Sequence, residues 1–209
     1  MTGGEPGRRT VRIGITGPIG CGKSQVARWL AARGLHVVDA DQEARAVTAP
    51  GGPVHDAVVR RWPRAAAADG TLDRAALGRI VFADPVALGE LEALVHPAVR
   101  PRILARIAAA EAVDAPGIAI EAIKLVEGGL AAECDEVWLV TCDPDTQRER
   151  LTGRGTAHTD AEQRVTAQAG LAARLAPYAT LILDTSGDPA ETEAMVDEAL
   201  AEALAGRGT

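Results

Sequence analysis

Short β-rich runs of apolar residues alternate along this chain with longer segments of helical composition. The first run, Val11–Thr16, predicts a strand; it opens onto a glycine-rich loop, after which Ser24–Arg33 reads as a helix ending at Gly34. Leu35–Val38 predicts a second buried strand that ends at the acidic triplet Asp39, Ala40, Asp41. From Gln42 to about Ala112 the chain reads as Ala- and Arg-rich helices, broken by APGGP at Ala49–Pro53, by Pro63 and by the Asp69-Gly70 turn. Within that stretch His96 precedes Pro97, a pairing that predicts a helix start, where the histidine would cap or pack. Strand character returns at Ile118–Val126 and at Val137–Cys142, the latter leading through Asp143 into a helix with Pro144 in its first turn. Thr159 and Glu162 have capping-box spacing for a helix running to about Leu175. Thr180–Asp184 predicts the last strand, and Asp188 with Pro189 begins the closing helix.

The alternation implies an α/β fold, a parallel sheet flanked by helices, with a helical insertion at about residues 42–112. In such sheets ligands collect at the C-terminal edge of the strands, where both the glycine loop and the acidic triplet fall. No internal repeat or long linker divides the chain, so residues 10–209 read as a single domain and residues 1–9 as a flexible tail. With 47% hydrophobic and 24% charged residues among 209, the composition is that of a soluble globular protein. Aromatic residues are few (Trp29, Trp62, Phe82, Trp138 and Tyr178), so the core is expected to be aliphatic, with no set of rings for stacking single-stranded bases. The formal net charge of -7 likewise opposes a broad contact with a nucleic-acid backbone. Cys21, Cys134 and Cys142 are odd in number and lack C-x-x-C spacing, so neither a disulfide framework nor a zinc site is expected. The polar start and the absence of any span-length apolar stretch predict a soluble, cytoplasmic protein with no membrane partner.

The candidate chemistry lies in the loop. Gly17, Gly22, Lys23 and Ser24 fit G-x-x-x-x-G-K-[ST], the phosphate-binding P-loop, and the pattern stands between a strand and a helix as its mechanism requires. Glycines allow the backbone to turn its N–H groups inward, and the helix N-terminus adds a positive dipole end, so a di- or triphosphate is solvated by fixed donors. Lys23 is placed to contact the outer phosphates, and the Ser24 hydroxyl to hold Mg²⁺. Of the 22 basic residues only Lys23 and Lys124 are lysines, which sets both apart in a chain that otherwise writes positive charge as arginine. No N-K-x-D guanine signature follows the loop, which disfavours a GTPase.

Further stretches narrow the reading. GITGPIGCGKS, GLHVVDADQEAR at Gly34–Arg45, DGTLDRAALGRIVF at Asp69–Phe82, LEALVHPAVR at Leu91–Arg100 and LVEGGL at Leu125–Leu130 resemble, in order and spacing, the dephospho-CoA kinase family. DPDTQRERL at Asp143–Leu151 and EQRVTAQ at Glu162–Gln168 resemble its lid, at about residues 147–176. The resemblance implies a P-loop kinase with a helical substrate-binding insertion and an arginine-bearing lid. Its implied reaction is transfer of the ATP γ-phosphoryl group to the ribose 3′-hydroxyl of dephospho-CoA, with ATP and Mg²⁺ as cofactors. It also implies roles. Asp41 would be the general base, with Lys23 and the lid residue Arg154 as catalytic cations. ATP would be held by Gly17, Ile19, Gly20, Cys21, Gly22, Lys23, Ser24, Gln25 and Arg150. Thr16, Asp41, Arg45, Arg74, His96 and Glu127 would face the acceptor, and Ser24 and, through water, Asp39 the metal. Arg148 falls in the same lid segment.

The chain also departs from the family pattern. Pro18 and Cys21 stand where the family loop commonly has glycine and serine, and Ile123-Lys124 stand in place of Pro-Leu in the motif that ends at Glu127. The adenine-side segment reads Asp184, Thr185, Ser186, Gly187 instead of Asp-Asn-x-Gly. Three other readings therefore stay open: a P-loop kinase for another nucleoside-like acceptor, a nucleotide-sensing module without turnover, and a structural protein with only Ala-rich helices behind it. The sequence is silent on oligomeric state.

Overall fold

The computed structural model describes residues 10–206, so the expected tail at residues 1–9 lies outside the described residues. Five strands, β1 (Val11–Thr16), β2 (His36–Asp39), β3 (Gly117–Glu121), β4 (Glu136–Thr141) and β5 (Leu181–Asp184), form one parallel sheet in the order β2-β3-β1-β4-β5. β1 lies at its centre, pairing in parallel with β3 (Ile15 opposite Glu121) and with β4 (Thr16 opposite Leu139). Because strand side chains alternate between faces, Trp138 and Val140 of β4 point into one core layer and Leu139 into the other. The first layer joins Ile13 and Ile15 to Val26 and Leu30 of α1 (Lys23–Ala32) and to Val196 and Leu200 of the closing helix, Pro189–Ala205. The second seats Leu171 and Leu175 on Leu139. The inner strands β3, β1 and β4 are thus buried, as their near-continuous apolar runs require, whereas the edge strands are not: β2, expected to be buried, exposes all but Val38, and β5 exposes Ile182.

The chain divides into two compact units, one formed by the described residues up to Val38 and from Ile107 onward, the other by Asp39–Arg106. The second unit is helical: α2 (Ala40–Val47), α3 (His55–Arg61), α4 (Arg74–Ala83) and most of α5 (Pro85–Ala112). Its own core gathers Val58, Trp62, Leu77, Val81 and Ala87. Glu43 of α2 is buried and accepts from Arg102 (2.5 Å) and Arg106 (3.4 Å) of α5, and the hydrogen bond from Arg102 holds its carboxyl below the usual range.

Several elements differ from the sequence reading. α5 runs unbroken through Pro97 and Pro101, so His96 lies within a helix and not at its start. The two prolines share one exposed face, and the stripe Val99, Ile103, Ile107, Ala110 on another face is buried, so packing outweighs the lost backbone bonds. β3 ends at Glu121, leaving Lys124 and Glu127 in the turns that follow. The capping box is absent. α7 (His158–Ala167), which follows α6 (Pro144–Gly153), starts one residue before Thr159 with Ala157 at its N-cap, because Glu162 is drawn to Arg148 at 2.5 Å. The helix stops at Ala167, and Gly170, left-handed at φ 73°, turns the chain into α8 (Leu171–Leu175). Nor is the core purely aliphatic: Trp138 is fully buried at the sheet centre and Trp62 anchors the second unit. Finally, Cys21 and Cys142 are joined as a disulfide. Spacing along the chain, 121 residues, gave no hint of it; parallel pairing of β1 with β4 brings the two together.

Candidate active site

The loop from Gly17 to Gly22 leaves the buried end of β1 and turns directly into α1. A side chain at Gly17 is impossible: its φ is +136°, and a Cβ there would stand 2.1 Å from the Val140 carbonyl oxygen of the neighbouring strand. Gly22, left-handed at φ 93°, is the N-cap of α1, so the chain reverses just where the helix exposes its first N–H groups. Lys23 is buried and folds back along the loop, its Nζ donating to the carbonyls of Gly17 and Pro18, both at 2.9 Å. The ammonium is thereby held over the loop instead of swinging in solvent.

Other residues of this unit converge on the loop from the C-terminal ends of the strands. At the end of β3 the Glu121 carboxylate accepts from Ser24 Oγ at 2.7 Å. Just past β5 the buried Thr185 donates from Oγ1 to the Cys21 carbonyl at 2.8 Å, and Arg150 of α6 donates to Thr185 Oγ1 (2.7 Å) and to its carbonyl (2.6 Å). The outer side of the loop is pinned at Ile19, whose N–H donates to Gln168 Oε1 at 2.7 Å and whose carbonyl accepts from Gln147 Nε2 at 2.5 Å. Thr16, fully buried, donates its hydroxyl to the Ile123 carbonyl at 3.1 Å. Gln25 Oε1 accepts from Arg28 and so faces along its own helix.

The remaining arginines of α6 divide. Arg148 is engaged by Asp145 (2.7 Å) and Glu162 (2.5 Å), with the bond to Glu162 chiefly responsible for raising its pKa. Arg154 occupies the C-cap of α6 and is exposed. Glu127 is exposed as well.

In the Asp39–Arg106 unit, Asp39 is the N-cap of α2, its carboxylate accepting from the Gln42 N–H at 3.0 Å. Asp41 sits in the first turn of α2, where its charge suits the helix dipole. Arg74 opens α4 and reaches α2, donating to Thr48 Oγ1 (3.1 Å) and to the Arg45 carbonyl (2.9 Å). Burial, and then the Arg45 charge, hold its pKa below the usual arginine value, so two guanidinium groups share one positive patch. His96 is half-buried in α5.

This loop and its strand-edge partners stand in a chain whose residues 11–191 match the dephospho-CoA kinase family. The chain belongs to the dephospho-CoA kinase family. A dephospho-CoA kinase of Geobacter metallireducens is 44% identical over 186 residues, 88% of this chain and 92% of that one. The solved structure of TT1252 from Thermus thermophilus is 34% identical, with a TM-score of 0.78 over 93% of this chain and 98% of that one. The dephospho-CoA kinase from Campylobacter jejuni, 18% identical, shares the fold at a TM-score of 0.59, over 93% of this chain and 98% of its own.

Within this family chain, four contacts at the loop went unread in the sequence: those of Glu121, Gln147, Gln168 and Thr185. Glu121 carried a usable signal, an acid closing an apolar strand at the ligand edge. The glutamines carried none, because an amide becomes a loop anchor only through its placement by the fold.

Proposed function

We propose that this protein transfers the γ-phosphoryl group of ATP to the ribose 3′-hydroxyl of dephospho-CoA, giving coenzyme A and ADP. The observation that carries the reading is the P-loop, with Lys23 drawn over its carbonyls and Ser24 paired to Glu121, in a chain of this family. ATP phosphates would lie against the N–H groups of residues 20–24, while Ile19, its N–H held by Gln168, would shape the outer side of the loop and Lys23 would neutralise charge on the outer oxygens. Arg150, fixed by Thr185, would present its guanidinium toward the nucleotide, and Gln25 would follow the loop at the start of α1. Phosphoryl transfer asks the protein mainly for alignment and charge, so Arg154, exposed on a segment with glycine on either side, would close on the transferred group.

On the acceptor side, Asp41 would accept or orient the 3′-hydroxyl proton. Arg45 and Arg74 form a positive pair suited to the substrate's diphosphate, and His96 and Glu127 would complete its surroundings; Thr16, fully buried with its hydroxyl on the Ile123 carbonyl, would instead brace the turn after β3. In this reading the helical insertion at about residues 42–112 handles the acceptor and residues 147–176 act as the lid.

The Ser24 hydroxyl and Glu121 carboxylate, two oxygens 2.7 Å apart, fit a hard cation that takes its other ligands from phosphate and water. Ser24 and Glu121 would hold Mg²⁺, with Asp39 acting through water. The metal, when bound, draws charge from the phosphate oxygens during transfer. Among the described residues no helix is long and apolar enough to cross a membrane.

The test is phosphate transfer by the purified protein with ATP and Mg²⁺, comparing dephospho-CoA with adenosine, AMP and no acceptor, and identifying products by mass. Conversion of dephospho-CoA alone is expected. ATP binding with no acceptor converted would instead make the protein a nucleotide sensor.

A further inference from the structure

We propose that Cys21 and Cys142 form a reversible thiol–disulfide couple, a modification site for small dithiols and disulfides that sets how tightly the P-loop binds nucleotide. The inference rests on the nucleotide-binding reading of that loop. Cys21 stands between Gly20 and Gly22, both left-handed (φ 82° and 93°), inside the segment that would wrap the phosphates. Cys142 follows β4 directly, and the pairing of β1 with β4 sets their Cα atoms 5.1 Å apart, within the range a disulfide spans. The bond therefore ties the loop, between two left-handed glycines, to the end of the neighbouring strand.

Two further features suit a couple that opens and closes. Cys21 is fully buried whereas Cys142 keeps partial exposure, so an incoming thiol meets Cys142 first. The third cysteine, Cys134, is held as a neutral thiol by burial, which pushes its pKa up to about 12, and supplies no competing thiolate at neutral pH. In a reducing compartment, disulfides are mostly transient, catalytic or sensing, and a bond across a P-loop has an activity at hand to control.

The exchange balances as follows. A thiolate of a dithiol attacks Cys142 Sγ, the Cys21–Cys142 bond breaks, and Cys21 leaves as thiolate and takes up a proton. The second thiol of the reductant then attacks the mixed disulfide, releases Cys142 and closes to a cyclic disulfide. Two electrons pass to the protein, and a small disulfide such as oxidised glutathione runs the exchange in reverse. With the bond closed, the Cys21 backbone is held from two sides, by Cys142 and by the Thr185 hydroxyl on its carbonyl. With it open the Cys21 backbone keeps only its hydrogen bonds, from the Thr185 hydroxyl to its carbonyl and from its N–H to the Pro18 carbonyl (3.4 Å), and the covalent tie to the end of β4 is gone, so this part of the loop is less preorganised when nucleotide binds.

The experiment divides the purified full chain between dithiothreitol and oxidised glutathione. It then alkylates, maps peptides without reduction, and measures the Kd of a fluorescent ATP analogue. A linked Cys21–Cys142 peptide is expected only in the oxidised sample, with Kd rising at least threefold on reduction and returning on reoxidation. C142S should bind with the reduced-state affinity and ignore dithiothreitol, while C134S should respond as the parent does. No linked peptide after oxidised glutathione, a rise in Kd of less than threefold, or a fall, overturns the proposal. Equal analogue binding in both states sinks this proposal alone, whereas no binding in either state removes the nucleotide reading as well. Failure to phosphorylate dephospho-CoA touches only the acceptor assignment.

Discussion

A carboxylate 2.7 Å from a P-loop serine has few uses other than a cation or an ordered loop, and E121Q separates the two. The amide keeps the hydrogen bond to Ser24 Oγ but carries no charge. The Mg²⁺ concentration for half-maximal turnover should therefore rise about tenfold, about 1.4 kcal/mol, while Tm stays within a degree or two. A metal titration of E121Q with circular dichroism alongside decides it; an unshifted titration would leave Glu121 a loop prop. Cys134 makes a different residue-scale prediction. Because burial holds its thiol far above the usual value, native protein at pH 8 should leave it unlabelled by maleimide over times that fully label a free thiol. Denaturation should expose it.

At the scale of elements, the second unit is fastened by Glu43, which α2 buries against Arg102 and Arg106 of α5. Its folded pKa lies below the ordinary 4.5, so its contribution is complete above that value and fades as pH falls through the folded value. E43Q should cost about 1 kcal/mol at pH 7, since both arginines remain partly exposed to solvent. The Tm difference between parent and variant, followed from pH 7 to pH 3, should shrink toward zero at the acid end. Elements were the most legible part of this chain. β1, α1 and α6 stand almost where periodicity and cap residues put them, because a buried strand of six residues and an Asp-Pro helix start are decided locally. α5 and α7 depart from their local signals for the opposite reason. Proline and Thr-x-x-Glu are local signals, and in these helices the packing of Val99 and Ile103 and the pull of Arg148 on Glu162 override them.

At the scale of the whole molecule, the Cys21–Cys142 bond closes a loop 121 residues long. In the chain-entropy account a cross-link of that length stabilises on the order of 4–5 kcal/mol by restricting the unfolded chain. The reduced protein should accordingly melt several degrees below the oxidised form, and scanning calorimetry with and without dithiothreitol checks it. An unchanged Tm would mean that a cost in the folded state offsets the restriction of the unfolded chain.

The P-loop, the order of strands and helices that presents it, and the family are all legible in the chain read alone. These rest on contiguous motifs whose chemistry requires fixed residue types at fixed spacing. The tertiary structure alone decided which residues meet at the loop. Glu121, Gln147, Gln168, Thr185 and Cys142 lie 97 to 164 positions from their partners and come into reach only when parallel strands align their C-terminal ends. Pairings of that kind are set by strand order and register, which are properties of the assembled sheet and leave no local mark on the chain.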